Sequence, residues 1–333
     1  MDIRTLSSHN YIPIIDPAYI KQSPDEFLAE NGGFLSEVAI IAKSTSGFVH
    51  FRSAIAPTDR DTNEFFSTFT SIADSIGIKV YALVSGLADS FLAKNPGYSA
   101  IKDGGNPNPY FIDPFKTQYT NYLKGILTEI ISFPIHGVLL DNIRFPRENY
   151  SFCENCRRQF SERYGIERIF SLGDMQRDNN LYAHWNQWRA NALETILMEL
   201  SQVTASKKNI PLSITMDIDP TLGPQGAFTH YGQKIDSIAK YGTPTIHLSP
   251  WSPYPSTTST PEFQTLKNNI QFAKTFQEKN QSALNLFIWG VENESYVDII
   301  DGLKKEISIA KIFVQNHLPK DYQKRRETHL GLS

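Results

Sequence analysis

Cysteine is scarce in this chain: 2 in 333 residues. Two cysteines cannot staple a chain of this length, so a disulfide framework is excluded as the source of its fold. Long apolar runs are missing too. No window reaches the ~18 consecutive apolar residues of a membrane helix. The first residues, MDIRTLSSHNYIPIID, contain no ~7–15-residue apolar segment of a secretory leader. The expectation is therefore a cytoplasmic protein, or a secreted one if a leader has been removed, with no membrane partner. A strong charge of one sign is absent as well: 32 Lys and Arg face 35 Asp and Glu, a net charge of −3. That leaves no polybasic signature and argues against nucleic acid as a partner. Glycine-rich phosphate loops are missing, since neither GxGxxG nor GxxxxGK[ST] occurs after an apolar run. No cofactor and no resident metal are expected.

What is present is enough for a large core. Hydrophobic residues make up 40% of the chain and aromatics 12%, which excludes disorder. The 21 Phe, 15 Tyr and 4 Trp ask for an explanation, because many stand in loops beside Pro, Gly and Asn. No Pro/Ser-rich linker divides the chain, so residues 1–333 read as one domain. The charged segment KDYQKRRETH within residues 320–333 reads as a solvated C-terminal tail.

Short apolar runs alternate with amphipathic helices along nearly the whole length. Expected strands are 11–15, 47–53 (GFVHFRS), 78–84, 136–140, 211–216, 245–248 and 283–289. A last one at 309–315 reads equally well as the end of a helix. Between them lie helical patterns. Ser23-Pro24-Asp25-Glu26 is a helix start with Ser23 as N-cap and Pro24 in the first turn. Phe65, Phe69, Ile72 and Ile76 recur by threes and fours over 61–76. Phe115, Tyr119, Tyr122, Ile126 and Ile130 line one face of 114–131. Leu181, Trp185, Trp188, Ala192, Ile196 and Leu200 mark a long helix, and shorter patterns cover 233–240, 261–278 and 295–306. Seven or eight such units predict an α/β fold with a parallel sheet, closed as a (β/α)₈ barrel. Insertions fall after the third and fourth strands, at 86–113 and 143–180.

Active sites of such barrels sit at the C-terminal ends of the strands. The polar residues that end the expected strands are Asp16, Arg52, Asp141 with Asn142 and Arg144, Asp217 with Asp219, His247, and Glu292 with Glu294. Aromatics stand among them: Phe145, Trp251, Tyr254 and Trp289. Carboxylates paired across a cleft hydrolyse glycosidic bonds, and aromatic faces hold sugar rings. Each residue also has a plainer reading. Asp16-Pro17 and Asp219-Pro220 are turn-formers, Glu292 and Glu294 suit a solvated first helical turn, and Trp289 suits a barrel plug. Arg144 is expected to pair with Asp141 and hold its carboxyl ionised.

The stretch IHGVLLDNIRFP (135–146) resembles the DGIHLDYIRYP signature of (β/α)₈-barrel glycosyl-hydrolase-like proteins. Three further blocks follow that group's order: IGIKVYALVSGLADSFLAKNPGYSAIKDGG (76–105), YFIDPFKTQYTNYLKGILTEII (110–131) and FCENCRRQFSERYG (152–165). The likeness covers residues 45–165 well. One departure is Asn142, where the signature has an aromatic. The resemblance implies a glycoside hydrolase acting on an oligo- or polysaccharide, with Asp141 in the active site. The partner carboxylate ranks as Glu292 first and Asp217 second. Asp16, Arg52, Asn142, Arg144, His247, Trp251, Tyr254 and Trp289 are the candidate substrate contacts. Two other readings compete: a catalytically silent carbohydrate-binding barrel, and a metal-dependent hydrolase using His247, Asp217 and Asp16. The pair Cys153-x-x-Cys156 stays open between a structural, a metal or disulfide, and a redox role.

Overall fold

The computed structural model describes residues 3–8, 10–166, 170–206, 210–218, 222–248, 261–289, 304 and 308–315. Eight parallel strands close into a barrel: β1 (Ile12–Ile15), β2 (Glu37–Lys43), β3 (Lys79–Ser85), β6 (Gly137–Asp141), β7 (Leu212–Asp217), β8 (Thr243–Leu248), β9 (Asn285–Trp289) and β10 (Lys311–Gln315). Outside the barrel, β4 (Ser99–Ile101) and β5 (Pro107–Ile112) form an antiparallel pair in the segment after β3. β10 settles the ambiguous last run: it pairs with β9 on one side and β1 on the other, and so closes the ring.

Side-chain alternation builds two layers of core. Ile12, Ile14, Ala39, Ile41, Tyr81, Leu83, Leu139, Phe287 and Phe313 form one cluster that fills the barrel. Their strand neighbours, such as Val38, Ile40, Val80, Ala82, Val138 and Leu140, join the larger core that includes the helix faces. Helices α3 (Phe65–Ser75), α4 (Thr117–Ile130) and α7 (Asn179–Ser206) supply Phe66, Phe69, Tyr119, Ile126, Leu193 and Leu200 to that layer. Helix α2 (Pro24–Asn31) starts as its sequence demands: Pro24 stands in the first turn and the Ser23 N–H donates to Glu26 Oε2 at 3.0 Å.

The second strand is not where the sequence put it. β2 is Glu37–Lys43, a run buried on both faces and therefore without the alternation of a half-buried strand. Residues 47–53 form a loop instead, joined to its surroundings by isolated bridges at Val49. Val49 and Phe51 are buried all the same, Phe51 against Phe66 of α3 and against Phe133. The short helix α1 (Ile3–Ser8) was not anticipated either. The helix expected at 295–306 and the tail at 320–333 lie outside the described residues, apart from Lys304.

A third cluster stands apart from the barrel. After β6 the chain forms α5 (Glu154–Tyr164) and α6 (Leu172–Arg177) before entering α7. Phe152, Cys156, Phe160, Phe170, Met175, Leu181, Trp185 and Trp188 make a core of their own there. The Trp185 ring lies 4.8 Å from that of Phe152 and 5.0 Å edge-on from that of Phe160.

Candidate active site

Three sequence-predicted residues meet where β6, β7 and β8 end. Register decides this. Asp217 and His247 are direct partners across β7 and β8. Asp141 lies one step beyond the last registered β6–β7 pair, Leu140 and Ile214, which sets it beside Thr215. Asp141 is also two residues beyond Leu139 of the barrel filling, so it faces the same interior at the mouth.

The contacts follow from that placement. His247 Nδ1 is 2.9 Å from Asp217 Oδ1, and Nε2 is 3.7 Å from Asp141 Oδ1. Thr215 Oγ1 donates to Asp141 Oδ1 at 2.8 Å, and Asn142 Nδ2 donates to Oδ2 at 2.6 Å. Asn142 reaches back because its backbone is left-handed, with φ of 56°, which Asn tolerates better than most residues. The His247 ring leans on Phe287 of the barrel filling, centroids 4.4 Å apart.

Arg144 contradicts its expected role. Its Nε pairs with Asp217 Oδ2 at 2.5 Å, and not with Asp141. Both partners are buried, and the guanidinium sits 4.9 Å from the centroids of both Phe111 and Tyr231. Asp217 is thus held by a cation and an imidazole at once. Asp141 instead has its carboxyl raised above the ordinary carboxylate range. Burial is the largest cause and the charge of Asp217 adds to it, outweighing the opposing pull of His247, Thr215 and Arg144. The expected Arg144–Asp141 pair is therefore corrected: Arg144 pairs with Asp217, and its charge lowers the Asp141 pKa without offsetting burial.

Two residues that escaped sequence reading support the cluster. Gln233, between α8 (Gly223–Tyr231) and α9 (Ile235–Tyr241), accepts from the Asp217 N–H at 2.9 Å. It donates to the carbonyls of Thr215 at 3.0 Å and Ile143 at 3.1 Å, tying β7 to the loop after β6. Arg189 of α7 donates to the carbonyls of Thr229 and His230, both at 2.8 Å, and of Arg147 at 2.7 Å, with its guanidinium over Phe145. Lys43 at the end of β2 is fully buried, 3.0 Å from Asp89 Oδ2, and donates to the Ser85 carbonyl. A buried glutamine and a buried lysine give no sequence signal, because both types are ordinarily exposed.

The other predicted residues lie apart or beyond description. Asp16 follows β1 and accepts the Ala18 N–H at 3.1 Å, capping the turn at Pro17–Tyr19. Arg52 stands in the 47–53 loop rather than at a strand end. Its side chain is 77% exposed and pairs with Glu64. Phe145 is fully buried beneath Arg189 and presents no platform. Trp289 ends β9, and its side chain, like Trp251, Tyr254, Asp219, Glu292 and Glu294, lies outside the described residues. Among the described residues, one group brings three metal-type donors together: Asp113, Cys153 and Cys156, within 4.8 Å of one another. Its two sulfurs are joined in a disulfide and serve each other. His247, Asp217 and Asp16 do not form such a group.

No protein-family model and no curated protein sequence matches the chain. Solved structures do. The PgaB (BpsB) glycoside hydrolase domain from Bordetella bronchiseptica aligns over 97% of this chain and 97% of its own, with a TM-score of 0.67 and 14% identity. The barrel is one that glycoside hydrolases use. The β-galactosidase of the psychrophilic Marinomonas ef1 aligns with a TM-score of 0.65 and 9% identity, over 97% of this chain and 59% of that one. The alpha-L-fucosidase isoenzyme 2 of Paenibacillus thiaminolyticus gives 0.63 and 13%, over 97% and 49%. At these identities the likeness is one of fold. Among the described residues, no helix is long and apolar enough to cross a membrane.

Proposed function

We propose that the protein is a glycoside hydrolase of the DGIHLDYIRYP type, cleaving glycosidic bonds of an oligo- or polysaccharide at the C-terminal mouth of the barrel. The observation that carries the reading is the contrast between two carboxyl groups at neighbouring strand ends. Asp217 is ion-paired with Arg144 and lies 2.9 Å from His247 Nδ1. Asp141 meets the same imidazole only at 3.7 Å, and its carboxyl is raised, chiefly by burial. Two neighbouring carboxyls in contrasting electrostatic surroundings are a usual mark of an acid and a helper.

In this scheme Asp141 carries the proton that the leaving sugar oxygen takes. Thr215 and Asn142 fix the plane of its carboxyl, and His247 spaces it from Asp217. Asp217 positions His247 and Arg144 rather than attacking. Glu292, after β9, is the opposing carboxylate that serves as base or nucleophile, which makes it the first-ranked partner of Asp141. Trp251, Tyr254 and Trp289 supply stacking faces.

The test is turnover of a broad panel of aryl glycosides and polysaccharides by the wild type, Asp141→Asn and Glu292→Gln. Loss of turnover by at least ~10³-fold in both variants, with sugar binding retained, supports the scheme. Sugar binding with no turnover by the wild type across the panel favours the silent binding barrel instead.

A further inference from the structure

Cys153 and Cys156 are joined in a disulfide at the start of α5, in the segment that follows β6 and outside the proposed reaction. Cys153 is the N-cap of that helix, and its Sγ accepts the Cys156 N–H at 3.0 Å. The two sulfurs differ in their surroundings. Cys153 is partly exposed and is followed by exposed Glu154 and Asn155, whereas Cys156 is 1% exposed and belongs to the aromatic cluster. Against Cys156 stands a carboxyl: Asp113 Oδ2 is 3.2 Å from its Sγ. Asp113 is fully buried, and its other oxygen accepts from the Ser151 hydroxyl at 3.0 Å.

We propose that Cys153–Cys156 is a thiol–disulfide exchange site for thiol reductants, in which Cys153 is the attacked sulfur and Asp113 the proton donor to Cys156. A reductant thiolate bonds to Cys153 Sγ from the exposed side. The S–S bond breaks, its electron pair goes to Cys156 Sγ, and the Asp113 proton goes with it. A second reductant thiol then attacks the reductant sulfur of the mixed disulfide, and Cys153 leaves as a thiolate at the helix N-terminus. Two electrons pass to the protein and the reductant leaves as its own disulfide, while the Asp113 carboxylate and the Cys153 thiolate take up their protons from water.

The surroundings of Asp113 fit a proton carrier. Burial, the largest cause, pushes its pKa up to about 6 against the lowering influence of the Phe115 N–H, the Ser151 hydroxyl, and the charges of Lys116 and Arg189. The carboxyl is therefore protonated below about 6 and can supply its proton. Above that value it places a negative charge 3.2 Å from the forming thiolate and opposes the step.

The experiment is reduction of the folded full-length chain by dithiothreitol across pH 5–8, with free thiols counted by mass after alkylation. Two thiols should appear while the circular dichroism stays folded, and the disulfide should return when the reductant is removed. The rate, normalised to dithiothreitol thiolate, should fall as pH rises through about 6. Asp113→Asn should slow reduction at least tenfold at pH 5 and flatten that profile, and Asp113→Glu should restore part of it. Cys156→Ser should take glutathione from glutathione disulfide onto Cys153, releasing one glutathione thiol, faster than Cys153→Ser takes it onto Cys156. A disulfide that opens only on denaturation would overturn the proposal. So would a flat wild-type profile or faster labelling of Cys156. The wild-type profile and the two cysteine variants decide the matter even if Asp113→Asn does not fold.

Discussion

Asp217 and His247 are register partners on neighbouring strands, and their side chains meet at 2.9 Å. The second ring nitrogen faces Asp141 at 3.7 Å. One imidazole therefore stands between the two carboxyls, and its charge pulls the Asp141 pKa down. Removing that charge leaves burial and Asp217 less opposed. His247→Gln should move the alkaline limb of kcat/KM to higher pH, since Asp141 acts in its protonated form in the proposed scheme. A pH–rate profile checks this, and a limb that stays put or moves down contradicts it.

Arg144 and Asp217 form a buried ion pair whose members cannot be removed singly without loss. Asp217→Asn takes the balancing charge from a guanidinium that water does not reach. The expected cost is about 3 kcal/mol of folding stability. Urea unfolding of the variant measures it. A cost under about 0.5 kcal/mol, typical of an exposed surface substitution, would show that the pair is solvated.

Gly86 donates its N–H to the Asp141 carbonyl at 2.7 Å. A Cβ at this position would lie 2.1 Å from Ile143 Cδ1 and 3.1 Å from the Asp141 carbonyl oxygen. Gly86→Ala should therefore cost about 1–3 kcal/mol through overpacking and displace the end of β6. Thermal unfolding reports the first effect, and a loss of turnover out of proportion to unfolding reports the second.

The far end of the barrel holds a different charge cluster. Lys311 Nζ is 2.8 Å from Glu37 Oε2 and donates to the Tyr81 hydroxyl at 2.7 Å, while Lys79 reaches Glu37 Oε1 at 3.3 Å. Burial pushes the Glu37 carboxyl up, but the two lysines outweigh it and hold it below its usual range. A lowered carboxylate stabilises the fold above its unfolded pKa and loses that contribution as pH falls through its folded one. Lys311→Met should therefore shrink the loss of stability on acidification below about pH 4.5. Denaturant midpoints at pH 7 and pH 3.5 check the sign.

Sequence reading reached the barrel because its signal is repeated. Runs such as those ending at Asp141 and Asp217 are bounded and apolar, and each is followed by a helix. It failed at β2 because EVAIIAK carries no alternation, while GFVHFRS nearby looked more strand-like. That error moved Arg52 to a strand end it does not occupy and hid Lys43, which does end a strand. Asp141, Asp217 and His247 were legible as strand ends. The partner of Arg144 was not, because it depends on which of two carboxylates at neighbouring strand ends the side chain reaches. Thr215 and Gln233 were illegible for a related reason: their roles come from register and from a helix–helix turn, neither of which a local motif encodes.

The 28-residue helix α7 belongs to two interiors. Its first half, through Leu181, Trp185 and Trp188, sits in the aromatic cluster with Cys156. Its second half, through Leu193, Ile196, Leu197 and Leu200, sits against the barrel. Arg189 stands at the junction and holds the loop after β6 at Arg147 and the last turn of α8 at Thr229 and His230. One rigid element therefore gives the disulfide segment and the wall of the barrel mouth a common support, so the two share their packing through a single helix.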